Sequence, residues 1–228
     1  LIGDTHAVLF NLVGYSLALI GGVLVAGEVG RLKSELEGRT SELERALVKV
    51  HDLAMRDDLT GLYNRRQLME YLQRQKALAD RNTLSFALCY VDLDHFKRVN
   101  DRFGHRQGDE VLRAFAEIAR RVVREEDFVA RMGGEEFVLV LTNATLTDAV
   151  RVAERLRRQT QLMVIHPSAP DFAVTVSVGI AAYRLREAVE QLLSRADAAM
   201  YAAKTQGRNR VVVAPEIETD AARGGAGR

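Results

Sequence analysis

With 228 residues, 47% of them apolar, the chain has material for one domain of ordinary size plus attached elements. Its 32 basic and 31 acidic residues nearly cancel, which argues against a general nucleic-acid binder. The single cysteine, Cys89, excludes an intrachain disulfide and, within the apolar run Phe86 to Val91, reads as a small buried hydrophobe.

The chain begins at Leu1 rather than methionine, as a fragment or a processed form would. From Ala7 to Gly27 no residue is charged, and Val8, Leu9, Phe10, Leu12, Val13, Leu17, Leu19, Ile20, Val23, Leu24 and Val25 dominate. Roughly 20 such residues at about 1.5 Å each cross a bilayer core, so 1–30 is read as a transmembrane segment. A buried core helix is the alternative, because Asn11, Ser16 and Gly21-Gly22 dilute the signal. Arg31 and Lys33 follow the segment and no Lys or Arg precedes it, so the positive-inside rule places the remainder in the cytoplasm.

Residues 31–55 are charged, helix-forming and free of proline. Leu32, Leu36, Leu43, Ala46, Val50 and Leu53 recur on four- and three-residue steps, with Arg39 as the polar member of the seam. This predicts a short coiled coil and hence a homodimer. An amphipathic helix packed on its own domain is the alternative, since Gly38 and Arg39 interrupt the seam.

Turn residues from Asp57 to Asn64 open the globular part, 56–213. Asn64 is placed to cap a helix carrying Leu68, Met69 and Leu72, with Gln67 as reciprocal partner. Leu84 to Val91 predicts a strand buried on both faces, ending in Asp92-Leu93-Asp94. A helix over 109–123 follows, with Val111, Leu112, Phe115 and Ile118 on one face. Next come two apolar runs separated by Gly133-Gly134, a hairpin whose turn requires positive φ. A helix over 147–163, a strand over 173–182, a helix over 188–205 and a strand over 211–213 complete an α+β sheet flanked by helices. The tail, 214–228, reads as disordered.

A Gly-Gly turn lets its backbone approach something bulky, and Glu135 and Glu136 follow it at once. If Asp92 lies opposite them, several acids converge with no equal basic cluster beside them. Oxygen-only ligands of that kind favour Mg²⁺. Lys97, Lys204 and Arg208 are candidates to neutralise phosphates, while Asn100 and Asp109 offer an amide and a carboxylate to a purine edge. Asp109 favours guanine, whose N1-H and N2 amine form the donor pair a carboxylate accepts.

Five segments carry a resemblance: Asp58 to Arg66, Asp92 to Asp101, Gly104 to Asp109, Gly133 to Phe137 and Lys204 to Arg210. In this order they resemble the GGDEF family of bacterial diguanylate cyclases, over about residues 56–213. The resemblance implies a central, mostly antiparallel sheet flanked by helices, related to nucleotide cyclase and polymerase palm domains, here preceded by the transmembrane helix and stalk. It implies condensation of two GTP into cyclic di-GMP and pyrophosphate by a dimer using Mg²⁺, for which Mn²⁺ can substitute.

By the same resemblance, Asp92, the Leu93 carbonyl and Glu135 would hold the metal, with Glu136 as a further acidic contact. Glu135 would also accept the proton of the attacking 3′-hydroxyl. The family's name has Asp at position 135, and Glu is a familiar variant. Asn100 and Asp109 would bind guanine, His105 would line the pocket, and Lys97, Lys204 and Arg208 would contact the triphosphate, which Gly133 and Gly134 let approach. Arg124 and Asp127 fall on the family's product-inhibition motif and Arg155 on its secondary arginine, so cyclic di-GMP is expected at a second site. The implied location is the bacterial inner membrane, catalytic domain inward, with no nucleic-acid partner. A catalytically silent receptor or scaffold for GTP or cyclic di-GMP is the alternative function, against which the intact Asp92, Lys97 and Gly133 to Phe137 count.

Overall fold

The structure, a computed structural model, describes residues 30–43, 55–82, 85–165 and 172–215, with isolated positions between 14 and 28. By internal contacts the chain divides into two compact units, Leu1–Ala54 and Met55–Arg228. Most of the apolar stretch 7–27, the seam residues Ala46, Val50 and Leu53, and the tail from 216 onward lie outside the described residues. Among the described residues, no helix is long and apolar enough to cross a membrane.

In the first unit, residues 30–43 form helix α1. Pairs between Arg31 and Glu28 at 3.0 Å and between Arg39 and Glu35 at 2.9 Å line it one turn apart, a spacing that supports helix even across Gly38. Leu32, Leu36 and Leu43 stand 59–64% exposed on it.

The second unit runs β1 (Tyr63–Asn64), α2 (Arg65–Asn82), β2 (Phe86–Asp94), α3 (Phe96–Phe103), α4 (His105–Val122), β3 (Phe128–Gly133), β4 (Glu136–Thr142), α5 (Leu146–Gln161), β5 (Thr175–Ala182), α6 (Val189–Thr205) and β6 (Val211–Val213). As expected, the Asn64 side chain caps α2, accepting from the Gln67 N–H at 3.0 Å. The strands form one sheet in the order β1-β3-β4-β2-β5-β6. Each of its four long strands is antiparallel to the next, while the short outer strands β1 and β6 run parallel to their neighbours.

Strand alternation divides the core in two. Ala87, Cys89, Val91 and Leu93 pack with Phe115 of α4 and Leu156 of α5 on one face; Phe86, Leu88 and Tyr90 pack with Leu72 of α2 and Leu192 and Met200 of α6 on the other. Each fully buried side chain of this kind contributes about 1.5–3 kcal/mol. Cys89 is buried as expected, and burial pushes its thiol up to about 12.

The same alternation turns Asp92 and Asp94 toward the α6 face. That helix lies close on β5 at Gly179, where a Cβ would meet the Ala196 carbonyl oxygen at 2.1 Å and the Met200 nitrogen at 2.2 Å. Only glycine permits this approach, which brings the end of α6 to the end of β2.

Several boundaries differ from expectation. α4 begins at His105 instead of 109, α5 ends at Gln161 instead of 163, and α3 and β1 were not expected.

Candidate active site

The β3–β4 hairpin turns on Gly133 (φ 144°) and Gly134 (φ 53°), both positive as expected, with a register slip between Arg131 and Gly133. Arg131 braces this turn. Its Nε and Nη2 donate to the Gly134 carbonyl at 3.1 and 2.7 Å, and its Nη1 donates to both oxygens of Asp57 at 3.0 and 3.1 Å. Asp57 also accepts from the Thr60 N–H and hydroxyl at 2.9 and 2.7 Å. Burial raises the Asp57 carboxyl, but the Thr60 bonds and Arg131 outweigh it and hold the group below its ordinary 3.8.

A depressed carboxyl contributes stability that is fully present above its unfolded value and lost as pH falls through the folded one. Asp57→Asn should therefore lower Tm by a few degrees at pH 7. Melting curves taken at falling pH should show this deficit shrinking only below about 3.8; a deficit constant down to acid pH would contradict the assignment.

Beside the turn, Asp92 of β2 lies in register opposite Glu136 of β4, and the Leu93 N–H donates to the Glu135 carbonyl at 3.2 Å. Three carboxylates thus gather at one end of the sheet. Lys204, from the end of α6, places Nζ 2.7 Å from Asp92 Oδ2, and the Tyr90 hydroxyl donates to Glu136 at 3.4 Å. Gly179 lets α6 deliver Lys204 into the cluster, one ammonium against three carboxylates. Burial pushes the Asp92 carboxyl up to about 6, Lys204 pulls it back, and Glu135 and Glu136 push it further up. Glu135 is likewise raised, first by burial, with Lys204 opposing and Glu136 adding.

Among the described residues no three such side chains converge as a finished metal cluster. The donor chemistry nevertheless fits a hard divalent cation: three carboxylates against one ammonium, all-oxygen donors, and a desolvated Asp92 whose charge form a cation would stabilise.

The other expected residues are spread over neighbouring elements. Lys97 is exposed and Asn100 partly buried on α3; His105 is exposed at the start of α4, Asp109 partly buried one turn on, and Arg208 exposed after α6. Gly108 had no role in the sequence reading. A Cβ there would lie 2.0 Å from Asn100 Oδ1 and 3.2 Å from Phe96 Cζ, so glycine makes room for the Asn100 amide. Should Asn100 bind guanine as the resemblance implies, Gly108→Ala would displace that amide and raise the GTP KM about tenfold while changing kcat less; an unchanged KM would take Asn100 out of that expectation.

Arg124, Asp127 and Arg155 do not join the acid cluster; Arg124 and Asp127 precede β3, at the far end of the same hairpin. The Arg124 N–H donates to Asp127 Oδ2 at 3.0 Å, Asp127 Oδ1 accepts from the Thr142 N–H at 3.0 Å, and Arg155 donates to the Val122 carbonyl. Arg56, Arg120, Arg124 and Asp127 line a cavity of about 170 Å³.

The family pattern described as "Diguanylate cyclase, GGDEF domain" matches residues 54–210. Diguanylate cyclase DgcP of Pseudomonas aeruginosa is 40% identical over 192 residues, which are 81% of this chain and 28% of that protein. The chain spans between 28% and 36% of the length of DgcP and of diguanylate cyclase DosC from Escherichia coli. Among solved structures, the coiled coil and GGDEF domain of DgcB from Caulobacter crescentus in complex with c-di-GMP superposes with a TM-score of 0.74 at 35% identity, covering 80% of this chain and 99% of that one.

Proposed function

Because the chain belongs to the GGDEF family of diguanylate cyclases, we propose that it condenses two GTP molecules into cyclic di-GMP, releasing two pyrophosphates. The observation that carries this reading is the register of Asp92 against Glu136, which sets the carboxylate-bearing end of β2 beside the Gly133-Gly134 turn.

In the proposed reaction each GTP's 3′-oxygen attacks the other's α-phosphorus, so one new P–O bond forms for each pyrophosphate that leaves. Asp92, the Leu93 carbonyl and Glu135 would hold Mg²⁺ or Mn²⁺, with Glu136 beside them; the bound metal supplies Lewis-acid stabilisation of phosphoryl charge. Glu135 takes the 3′-hydroxyl proton, and burial, which raises its carboxyl, makes it the stronger base for that step. Asn100 and Asp109 bind the guanine edge, with His105 beside the pocket. Lys97, Lys204 and Arg208 would bind the triphosphate against the glycine turn, Lys204 leaving its contact with Asp92 for phosphate.

One domain holds one GTP, so two must face each other, and we assign the pairing to the stalk, 31–55. The uncharged stretch 7–27 supports a membrane anchor that leaves the catalytic domain, 56–213, on the cytoplasmic side. Product inhibition falls to Arg124, Asp127 and Arg155, a reading supported by the arginine-lined cavity beside Arg124. Arg124→Ala should raise the cyclic di-GMP level giving half-inhibition about tenfold or more, since a bidentate arginine contact to guanine is worth about 1–3 kcal/mol. An unmoved inhibition curve would remove the site. The reaction itself is tested by incubating the chain with GTP and Mg²⁺ and separating the products by chromatography; absence of cyclic di-GMP from a dimeric, inhibitor-free preparation would refute it.

A further inference from the structure

Asp94 is as buried as Asp92 but does not share its surroundings. It is 3% exposed, and its carboxylate is taken up by neutral donors: Oδ1 accepts from the Ser177 hydroxyl at 2.7 Å, and Oδ2 from the Thr175 hydroxyl at 2.7 Å and the Asn209 N–H at 3.0 Å. The third of these bonds ties β2 to the segment after α6. That segment holds three successive residues at positive φ, Gly207 at 112°, Arg208 at 61° and Asn209 at 45°. Two of them carry side chains, so this backbone is strained and persists only where its surroundings hold it. A second clamp comes from α5, where Arg157 Nη1 donates to Asn209 Oδ1 at 2.8 Å and Asn209 Nδ2 donates to Gln161 at 3.3 Å. The Arg208 N–H in turn donates to the Ala203 carbonyl at 3.0 Å, which closes the end of α6 immediately before Lys204.

We propose that Asp94 and Arg157 are positioning residues for the substrate's triphosphate: they lock the strained 207–209 backbone, and so fix where Lys204 and Arg208 present their charges. This rests on the cyclase reading above, in which those two residues bind phosphate. Asp92 and Asp94, alternate residues of one strand, then divide the work. Asp92 serves the metal and Lys204, and Asp94 serves the loop. A carboxylate used as a three-bond acceptor is replaceable by an amide, because asparagine can accept from Thr175 and Asn209 through its oxygen while its amide donates to the Ser177 hydroxyl. A carboxylate used for its charge at a metal is not.

The test compares the full chain with Asp94→Asn, Asp94→Ala and Arg157→Ala. Three quantities are read: KM and kcat for GTP, Kd for a fluorescent non-hydrolysable GTP analogue, and the Mg²⁺ concentration for half-activation. Asp94→Ala and Arg157→Ala should each raise KM and Kd about tenfold with kcat changed less than about threefold, and Asp94→Asn should restore both constants to within about twofold of the parent. Half-activation by Mg²⁺ should not move in any of them. An Asp94→Asn variant as impaired as Asp94→Ala, or a raised Mg²⁺ requirement, would overturn the proposal in favour of a metal role. Unchanged Kd in both alanine variants would overturn it outright. If Asp94→Ala fails to fold, Arg157→Ala, at a partly buried position of α5, decides alone. A parent chain that binds the analogue but makes no product refutes the cyclase reading and leaves the Kd comparison to judge the clamp; one that binds no analogue refutes both.

Discussion

Glu135→Ala is expected to reduce cyclic di-GMP formation by about 10³-fold or more, with the fold unchanged. In the proposed reaction the chemical loss combines a metal ligand with the base for the 3′-hydroxyl, and removing a positioned base alone costs about 10²–10⁴-fold. The structural loss is small. What Glu135 gives the hairpin is its backbone carbonyl, which accepts from the Leu93 N–H and survives the substitution. Two carboxylates and Lys204 remain in the cluster, so GTP should still bind, and Tm should stay within a degree or two of the parent. Glu135→Asp, the residue in the family's name, should retain substantial turnover. Chromatography of timed GTP reactions checks both rates, and a melting curve the Tm; an alanine variant that still makes product at a tenth of the parent rate would take Glu135 out of the chemistry.

Leu36→Asp combined with Leu43→Asp should have an effect of similar size by a different route. Both leucines stand more than 60% exposed on α1, a cost that pairing with a second copy removes. Burying two aspartates in that seam should leave monomers. Turnover at low protein should then fall at least about 10²-fold, because the meeting of two GTP-loaded domains becomes bimolecular. The rate per chain should climb with protein concentration in the variant and stay flat in the parent, while the Kd for GTP is untouched. Sedimentation and a dilution series of the rate check this. Parent-like turnover from a demonstrated monomer would exclude the stalk from catalysis.

The parts of this site that were legible in the sequence are those written locally. Gly133-Gly134 announced its own turn, the apolar run before Asp92 announced a buried strand, and five short motifs in order announced the family. The boundaries failed where local pattern and tertiary compensation disagree. The acids at the end of β2 were legible, but the groups that hold them there, Lys204, the Ser177 and Thr175 hydroxyls and the Asn209 N–H, were not. The first turn of α4 is polar with Gly108 inside it, so periodicity placed the start at 109. β1, two residues long, owes its strand state to parallel pairing with β3, a partner more than sixty residues away.

The brace that Asp57 makes with Arg131 spans 74 positions and leaves no periodic trace. Nor could the sequence say that Gly108 serves Asn100, or that Gly179 admits α6 and with it Lys204; a glycine needed for what another element does to it looks the same as one needed for a turn. Lys204 was assigned to phosphate alone because its distance from Asp92 is a product of that packing.

The two outermost strands, Tyr63–Asn64 and Val211–Val213, contain only two and three residues. A sheet bounded in this way offers almost no open row of N–H and C=O groups to another chain, although its four inner strands are long and apolar. Strand addition onto either outermost strand would have only two or three residues to build on. If the proposed reaction brings two copies of this domain face to face, those margins give them little backbone through which to join sheets.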